Sequence, residues 1–473
     1  MKIKLNHMSR WAAAPASLLA LTVVAGCGAP GQAGGPAGDE SSAGASAEPA
    51  ARETTEAAGA APRLAVTFDG GVMVLDGESL EVLDTFPAEG FTRLNPAGDN
   101  RHLFLTEGDS FRLLDLGTWS EPHGDHAHAY TTDPLLTEQR ITGSRPGHLV
   151  NHDGRSLAFF DGTGEMHLFD PANLSADSLI DTTVTTTDEA HHGVAVPRAD
   201  DSTVVTIGNE ESRSGVKIVD EAGETVAEST GCPGVHGEAV AEGGVITVGC
   251  EDGLLIIDGE KIRKVDSPDD YGRIGNQFGS ERSPVVLGDY KVDEDAELER
   301  PTRVTLTDTG SGELRLVDLP ASYSFRSLAR GPEGEALVLG TDGTLRVIDP
   351  ASAEVTREIE VTEPWEEPVE WQEPRPTVHV AGDEVLVTEP GTQTLHVVDI
   401  GAGEVTRSSE LPEVPNEVGS ASGKAPAADH AHDHGDHEGH DHGEEGHGHE
   451  GHDHGHEHSE DDHDHGDHEG HDH

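Results

Sequence analysis

The chain is short of positive charge. Against 91 Asp and Glu it sets only 30 Lys and Arg, a formal net charge of −61. Nucleic-acid binding needs basic patches, so this balance argues against nucleic acid as a partner. Aromatic residues make up only 4% of the chain, and the apolar residues come as short runs of Val, Leu, Ile and Ala. No stretch is long and apolar enough to span a bilayer. Long amphipathic helical patterns are missing, and strands separated by Gly-rich turns exclude a parallel α/β sheet. Catalytic signatures are missing too: no Gly-x-Ser-x-Gly, no phosphate-cradling loop and no His-Glu-x-x-His. Cysteine is scarce, with three in 473 residues, and none lies in a Cys-x-x-Cys pair.

What is present begins with an export signal. Lys2, Lys4 and Arg10 precede an apolar run from Trp11 to Val24 that fits the apolar region of a secretory signal. The run ends in Val24-Ala25-Gly26-Cys27. This looks like a bacterial lipoprotein signal, with Cys27 as the lipidated first residue of the mature chain. Residues 1–27 are therefore read as a lipoprotein signal peptide. The protein is expected outside the cytoplasm, touching the cell membrane through its lipid anchor only. Residues 28–62, rich in Ala, Gly, Ser, Glu and Pro, are predicted to be a disordered tether. Cys232 and Cys250 flank what reads as a hairpin turning near Glu242-Gly243-Gly244. A compartment that permits disulfides favours pairing of the two. The alternative is a thiolate metal site.

From residue 63 to 411 one pattern recurs: short β-type runs parted by Gly/Asp turns, one run per unit ending in apolar residues followed by Asp. The markers are Asp76, Asp115, Asp170, Asp220, Asp258, Asp308, Asp349 and Asp399, spaced 38 to 55 residues apart. A period of 40–50 residues carrying about four strands is the signature of a β-propeller blade. The expected fold is all-β, a propeller of eight blades, or of seven with a shared one, because the first unit lacks an obvious innermost strand. Residues 412–473 lose the strand pattern. They are predicted to be a disordered linker and a tail of His, Asp, Glu and Gly.

Histidine carries the chemistry. Seventeen of the 30 histidines lie in the tail from His430 to His473, among them His430, His432, His434, His437, His440 and His442. Imidazole is a common ligand for Zn, Ni and Cu, and interleaved carboxylates favour cations. Several weak, exchangeable sites are expected there. A second cluster, His123-Gly124-Asp125-His126-Ala127-His128, lies in the longest marker interval, read as a loop inserted between two blades. A third set emerges when three consecutive blades are aligned on their innermost strands. His148, His192 and His236 are spaced by 44 and 44 residues, one blade each. Equivalent positions on innermost strands ring a central channel. Three imidazoles pointing to one place match the ligand number of a zinc site with an open fourth position. His191 is an alternative to His192, and His152 and Glu238 are outer candidates. Which neighbour of each His points inwards depends on strand register. His102, His167, His379 and His396 read as ordinary strand or turn residues.

These segments together resemble the AztD family of extracytoplasmic zinc metallochaperones, which work with an ABC-type zinc importer. The resemblance spans about residues 64 to 400. It rests on Arg145-Pro146-Gly147-His148, Asp161-Gly162-Thr163-Gly164, the run from Ala190-His191-His192-Gly193 to Pro197, Cys232-Pro233-Gly234-Val235-His236-Gly237-Glu238-Ala239, and Gly249-Cys250-Glu251-Asp252-Gly253. The cluster from His123 to His128 looks like that family's His-rich segment. The resemblance implies a propeller that binds zinc and hands it to the importer's solute-binding protein, without being an enzyme. The lipid anchor and the long His tail depart from the family's simple pattern. Intrinsic imidazole affinity favours Cu and Ni at least as well as Zn, so zinc itself comes from the resemblance. Two rivals remain at this stage: a metal-dependent, lactonase-like propeller enzyme, and a structural surface lipoprotein whose tail buffers metal.

Overall fold

The computed structural model describes residues 52–124 and 126–425. The signal, Cys27, most of the tether and the tail histidines lie outside the described residues.

Each Asp marker follows or ends the third strand of a four-stranded antiparallel sheet, where it opens the turn to the fourth. The Asp76 carboxylate accepts from the Glu78 and Ser79 amides. Asp308, Asp349 and Asp399 accept likewise from Ser311, Ser352 and Ala402. A short acid that caps its own turn is the physical reason for the repeat. Among the described residues, eight sheets are built on four such strands, and one gains a further short pairing at Gly272–Arg273. In chain order they are centred on third strands Gly71–Asp76, Ser110–Asp115, Glu165–Phe169, Arg213–Val219, Asp252–Asp258, Arg303–Asp308, Thr344–Asp349 and Thr394–Asp399. They are called sheets 1 to 8 below.

The third strands read as apolar runs, without the alternation of a half-exposed strand, because both their faces are covered by neighbouring sheets. In Asp252–Asp258, Leu254, Leu255, Ile256 and Ile257 are all at most 2% exposed. One apolar cluster joins Val204, Val216 and Ile218 of sheet 4 to Val248, Leu255 and Ile257 of sheet 5. Another joins Val72 and Val74 of sheet 1 to Leu103, Leu105 and Leu114 of sheet 2. Each fully buried Leu or Ile contributes about 1.5–3 kcal/mol. The fourth strands, such as Glu354–Glu360, are mostly exposed and correspondingly polar.

Sheet 1 takes its innermost strand from the far end of the chain. Val418–Ala421 pairs with Arg63–Phe68, Val66 opposite Val418 and Arg63 opposite Ala421. This corrects the expectation that residues beyond 411 lack strands. It also explains why the first unit looked incomplete. Val-Gly-Ser-Ala carries too little β signal to be seen alone; the exposed edge of Arg63–Phe68 recruits it. Strand Thr55–Ala57, inside the predicted tether, pairs with His126–Thr131.

The innermost strands share one sense. At their ends, Asn151 Nδ2 donates to the Pro96 carbonyl (3.3 Å) and Ser156 Oγ to the Ala97 carbonyl (2.7 Å). The end where innermost strands start is called the upper face, and the other the lower face.

Cys232 and Cys250 form a disulfide closing 18 residues of chain. A loop of that length stabilises by about 3 kcal/mol in the chain-entropy account. Reduction is expected to lower the unfolding free energy read from urea denaturation by that amount, with a matching fall in the midpoint, and to loosen His236, four residues after Cys232. A midpoint unmoved by reductant would contradict this.

Candidate metal centre

The structure brings His148, His192 and His236 together. Their ligand nitrogens all lie within 4.8 Å of one another, and the ring centroids stand 5.1 to 5.8 Å apart. His148 lies in Pro146–His152 of sheet 3, His192 three residues ahead of Ala195–Pro197 of sheet 4, and His236 at the head of His236–Ala241 of sheet 5. Two irregularities aim them. The pairing of sheet 3 slips between Pro146 and Leu149, and that of sheet 5 between His236 and Glu238. A bulge re-aims a side chain without ending the strand. Gly237 supplies one bulge at φ +72°, where a Cβ would stand 2.7 Å from the Gly275 carbonyl oxygen. Gly147 permits the other: a Cβ there would meet the Asp161 carboxylate at 2.2 Å.

Outer partners fix the rings. His192 Nδ1 lies 2.6 Å from Asp161 Oδ2. His236 Nδ1 donates to the Gly275 carbonyl at 2.6 Å. Both partners are acceptors, so Nδ1 carries the proton and Nε2 keeps its lone pair for an ion. Glu238 Oε2 stands 3.8 Å from His148 Nδ1.

Burial holds His148 well below the ordinary imidazole range, aided by His236, His192, Arg93 and Arg213. Burial likewise lowers His236 to about 4, against the opposing Gly275 hydrogen bond and with help from His192, Arg273 and Arg213. Burial raises the Glu238 carboxyl to about 7, opposed chiefly by Arg93. Two of the three imidazoles are therefore kept neutral, the form that binds metal. A cavity of about 850 Å³ opens over His192, lined also by Arg145, Asp161, Arg213 and Glu251. Three imidazoles gathered at one place, with His192 at an open mouth, can hold a tetrahedral ion and leave its fourth position to an incoming ligand.

His191 is not part of this set, which corrects its candidacy. Its Nδ1 lies 2.8 Å from the Glu189 carbonyl and its Nε2 2.9 Å from Thr206 Oγ1. The ring is buried against Phe159. His152 is also elsewhere, bonded at the lower end of its strand to the Pro197 carbonyl at 2.8 Å. His102, His167, His379 and His396 each find a hydrogen-bond partner within the fold: Asp99, Thr182, Ser420 and Ser408 respectively.

His123, His126 and His128 form a second group whose ligand nitrogens lie within 4.8 Å of one another. They sit on a hairpin of Thr118–His123 and His126–Thr131, with His123 opposite His126. Asp125 lies outside the described residues. Glu56 Oε1 holds His128 Nδ1 at 2.9 Å, repeating the carboxylate–imidazole device of His192. The hairpin is inserted within sheet 2, between its third strand and its fourth, Leu135–Thr142. It does not lie between two blades, as expected from spacing; the fourth strand resumes after it. Third-to-fourth connections fall on the lower face, whereas the three-His centre opens on the upper face.

Sequence reasoning missed Asp161, which reads as a plain Asp-Gly-Thr-Gly turn, and the cations Arg93, Arg213 and Arg273. Among the described residues no helix is long and apolar enough to cross a membrane.

No family model matches the chain. A curated relative from Citrobacter koseri, named zinc chaperone AztD, is 29% identical over 380 residues, covering 77% of this chain and 87% of the relative. The crystal structure of Citrobacter koseri AztD is similar with a TM-score of 0.68 and 27% identity, covering 76% of this chain and 98% of that one. The structure of apo AztD from the same organism is similar with a TM-score of 0.66, at the same identity and coverage.

Proposed function

We propose that this chain, a relative of the zinc chaperone AztD, is an extracytoplasmic zinc metallochaperone. Zinc is its cargo. The His148, His192 and His236 imidazoles hold one ion tightly at the upper face. The hairpin histidines and the tail, from His430 through His442 onward, gather zinc at lower affinity. Cys27 carries the lipid that keeps the protein at the membrane. The ion passes by ligand exchange to the solute-binding protein of an ABC-type zinc importer, entering through the open mouth above His192. The chain is a carrier, with no reaction of its own. One observation carries this reading: three imidazoles from three successive sheets converge, and two have Nδ1 taken by an acceptor, which leaves Nε2 free to ligate an ion.

The test of delivery is transfer from protein loaded with one equivalent of zinc to the apo acceptor, in excess chelator. Acceptor filling faster than the chelator strips the donor supports direct hand-over. Filling that proceeds only at the rate of zinc dissociation overturns it.

The pH profile follows from the shifts. A solvated imidazole protonates near 6.5. His148 and His236 sit lower, so at these two ligands protons compete with zinc only in more acid solution. Tight binding is expected to decline gently below pH 7, as Glu238 takes up its proton, and to collapse as the pH approaches about 4, where His236 protonates. Complete release by pH 6.5, or no release at pH 3.5, would contradict the assignment.

A further inference from the structure

A long loop joins Glu354–Glu360, the fourth strand of sheet 7, to Val378–Ala381, the innermost strand of sheet 8, and so lies on the upper face. It has no regular secondary structure, yet it is firmly pinned. The buried Arg375 pairs with the buried Glu367 at 3.1 Å and donates to the Glu370 carbonyl at 2.7 Å. Asn416 Nδ2 donates to the Gln372 carbonyl at 2.9 Å, and Trp365 Nε1 to the Gly340 carbonyl at 3.1 Å. Despite this anchoring, Val369 is left 58% and Trp371 48% exposed. Trp371 stands edge-on to Phe91, ring centroids 5.0 Å apart. Phe91 lies in the upper-face connection from sheet 1 into the innermost strand of sheet 2.

Beside the two rings is a pocket of about 300 Å³, lined in part by Phe68, Asp69, Phe91, Thr92, Glu373 and Pro374. Thr92 is buried, and its Oγ1 has no hydrogen-bond partner among the described residues. The exposed carboxylates of Asp69, Glu370 and Glu373 likewise have no ion-pair or hydrogen-bond partner among the described residues. The cations nearby are already taken: Arg93 and Arg326 pair with Glu417, and Arg375 with Glu367. Apolar side chains exposed together inside a polar rim mark an interaction site. An aromatic ring held rigid in advance loses little freedom on binding, which is why such rings serve as anchors.

We infer that this patch is the docking surface for the zinc acceptor, and that the acceptor meets it with a Lys or Arg beside an apolar side chain. The basic side chain lays its stem along Phe68 and Phe91 and brings its charged head to Asp69 and Glu373. The apolar neighbour covers Val369 and Trp371. This rests on the zinc-carrier reading above and names the surface behind the hand-over. The patch and the open mouth above His192 both lie on the upper face, so an acceptor held at the patch faces the mouth.

The test uses the full chain loaded with one equivalent of zinc and the apo solute-binding protein of an ABC-type zinc importer, in excess chelator. The transfer rate is followed against acceptor concentration. Three variants are compared with the parent: Val369→Arg, Trp371→Ser, and Asp69→Asn combined with Glu370→Gln and Glu373→Gln. Val369 is the more exposed of the two apolar residues, so its variant keeps the fold even where Trp371→Ser, which uncovers Phe91, does not. The acceptor concentration at half-maximal rate is expected to rise at least about 10-fold in Val369→Arg and Trp371→Ser. Limiting rate and zinc affinity should stay unchanged. The neutralised variant should lose the salt sensitivity of the parent's transfer. Fast hand-over with an unchanged half-maximal concentration in both apolar variants overturns the docking surface and leaves the carrier reading standing. A parent dimer that Val369→Arg abolishes while transfer persists overturns it as well, the occupant then being a second copy of the chain. Transfer from the parent only at the rate of zinc dissociation overturns both.

Discussion

Replacing His148, His192 and His236 together by alanine removes tight zinc binding and leaves the fold intact. The three side chains share one centre, with ligand nitrogens within 4.8 Å, and they supply every protein ligand in the proposed set. His192 is exposed and His148 and His236 are half-buried, so alanine at these positions opens no cavity in the apolar core. Asp161→Asn gives the graded comparison. It leaves the three ligands but weakens the acceptor that pins His192 Nδ1 at 2.6 Å, and outer partners of this kind are worth roughly 10- to 100-fold in affinity. The triple variant must lose more than that. Competition titration against a chromophoric chelator reads both, and thermal unfolding checks the fold. Equal zinc affinity in parent and triple variant, counted after subtracting the weak tail sites proposed above, would sink the assignment.

The second large effect concerns ring closure. Glu417→Ala is expected to destabilise the protein by about 3–5 kcal/mol, the range for stranding a buried charge. Glu417 leads into the closing strand Val418–Ala421 and is 8% exposed. Its carboxylate accepts from the Leu94 amide (3.0 Å) of sheet 2. It also pairs with Arg93 (3.3 Å) and with Arg326 (3.1 Å), which precedes the innermost strand of sheet 7. Arg326 is 7% exposed. Burial lowers its guanidinium to about 10, and Glu417 is the chief opposing influence. Removing the carboxylate leaves that cation without its neutralising partner and unties three elements at once. Glu417→Gln keeps the shape and the Leu94 contact, so it should lose less. Urea unfolding measures both. A loss under about 1 kcal/mol for the alanine variant, typical of an exposed ion pair, would show that the closing strand is held by backbone pairing alone.

Much of this architecture was legible because its signals are local. An acid recurs at or just after the end of each third strand, in most sheets capping the turn that follows, so Asp76 through Asp399 mark the sheets without any structure. The 44-residue spacing of His148, His192 and His236 follows from one blade per imidazole. What escaped was long-range or register-dependent. Val418–Ala421 is a strand only because Arg63–Phe68 offers it an edge. Whether His191 or His192 faces the channel turns on where the chain enters its strand, and His191 is taken up by Glu189 and Thr206. Asp161 reaches His192 across two sheets, a contact that no spacing within either reveals. The bulges did leave a trace: glycine beside histidine in Pro146-Gly147-His148 and in His236-Gly237-Glu238.

The most direct measurement is a crystal of the protein with one equivalent of zinc, with anomalous diffraction recorded at the zinc absorption edge. The account predicts one strong peak about 2.0–2.1 Å from nitrogens of His148, His192 and His236, with Asp161 and Gly275 still on Nδ1 of His192 and His236. A first equivalent found on the hairpin at His123, His126 and His128 instead, with the three-His centre metal-free, would contradict it.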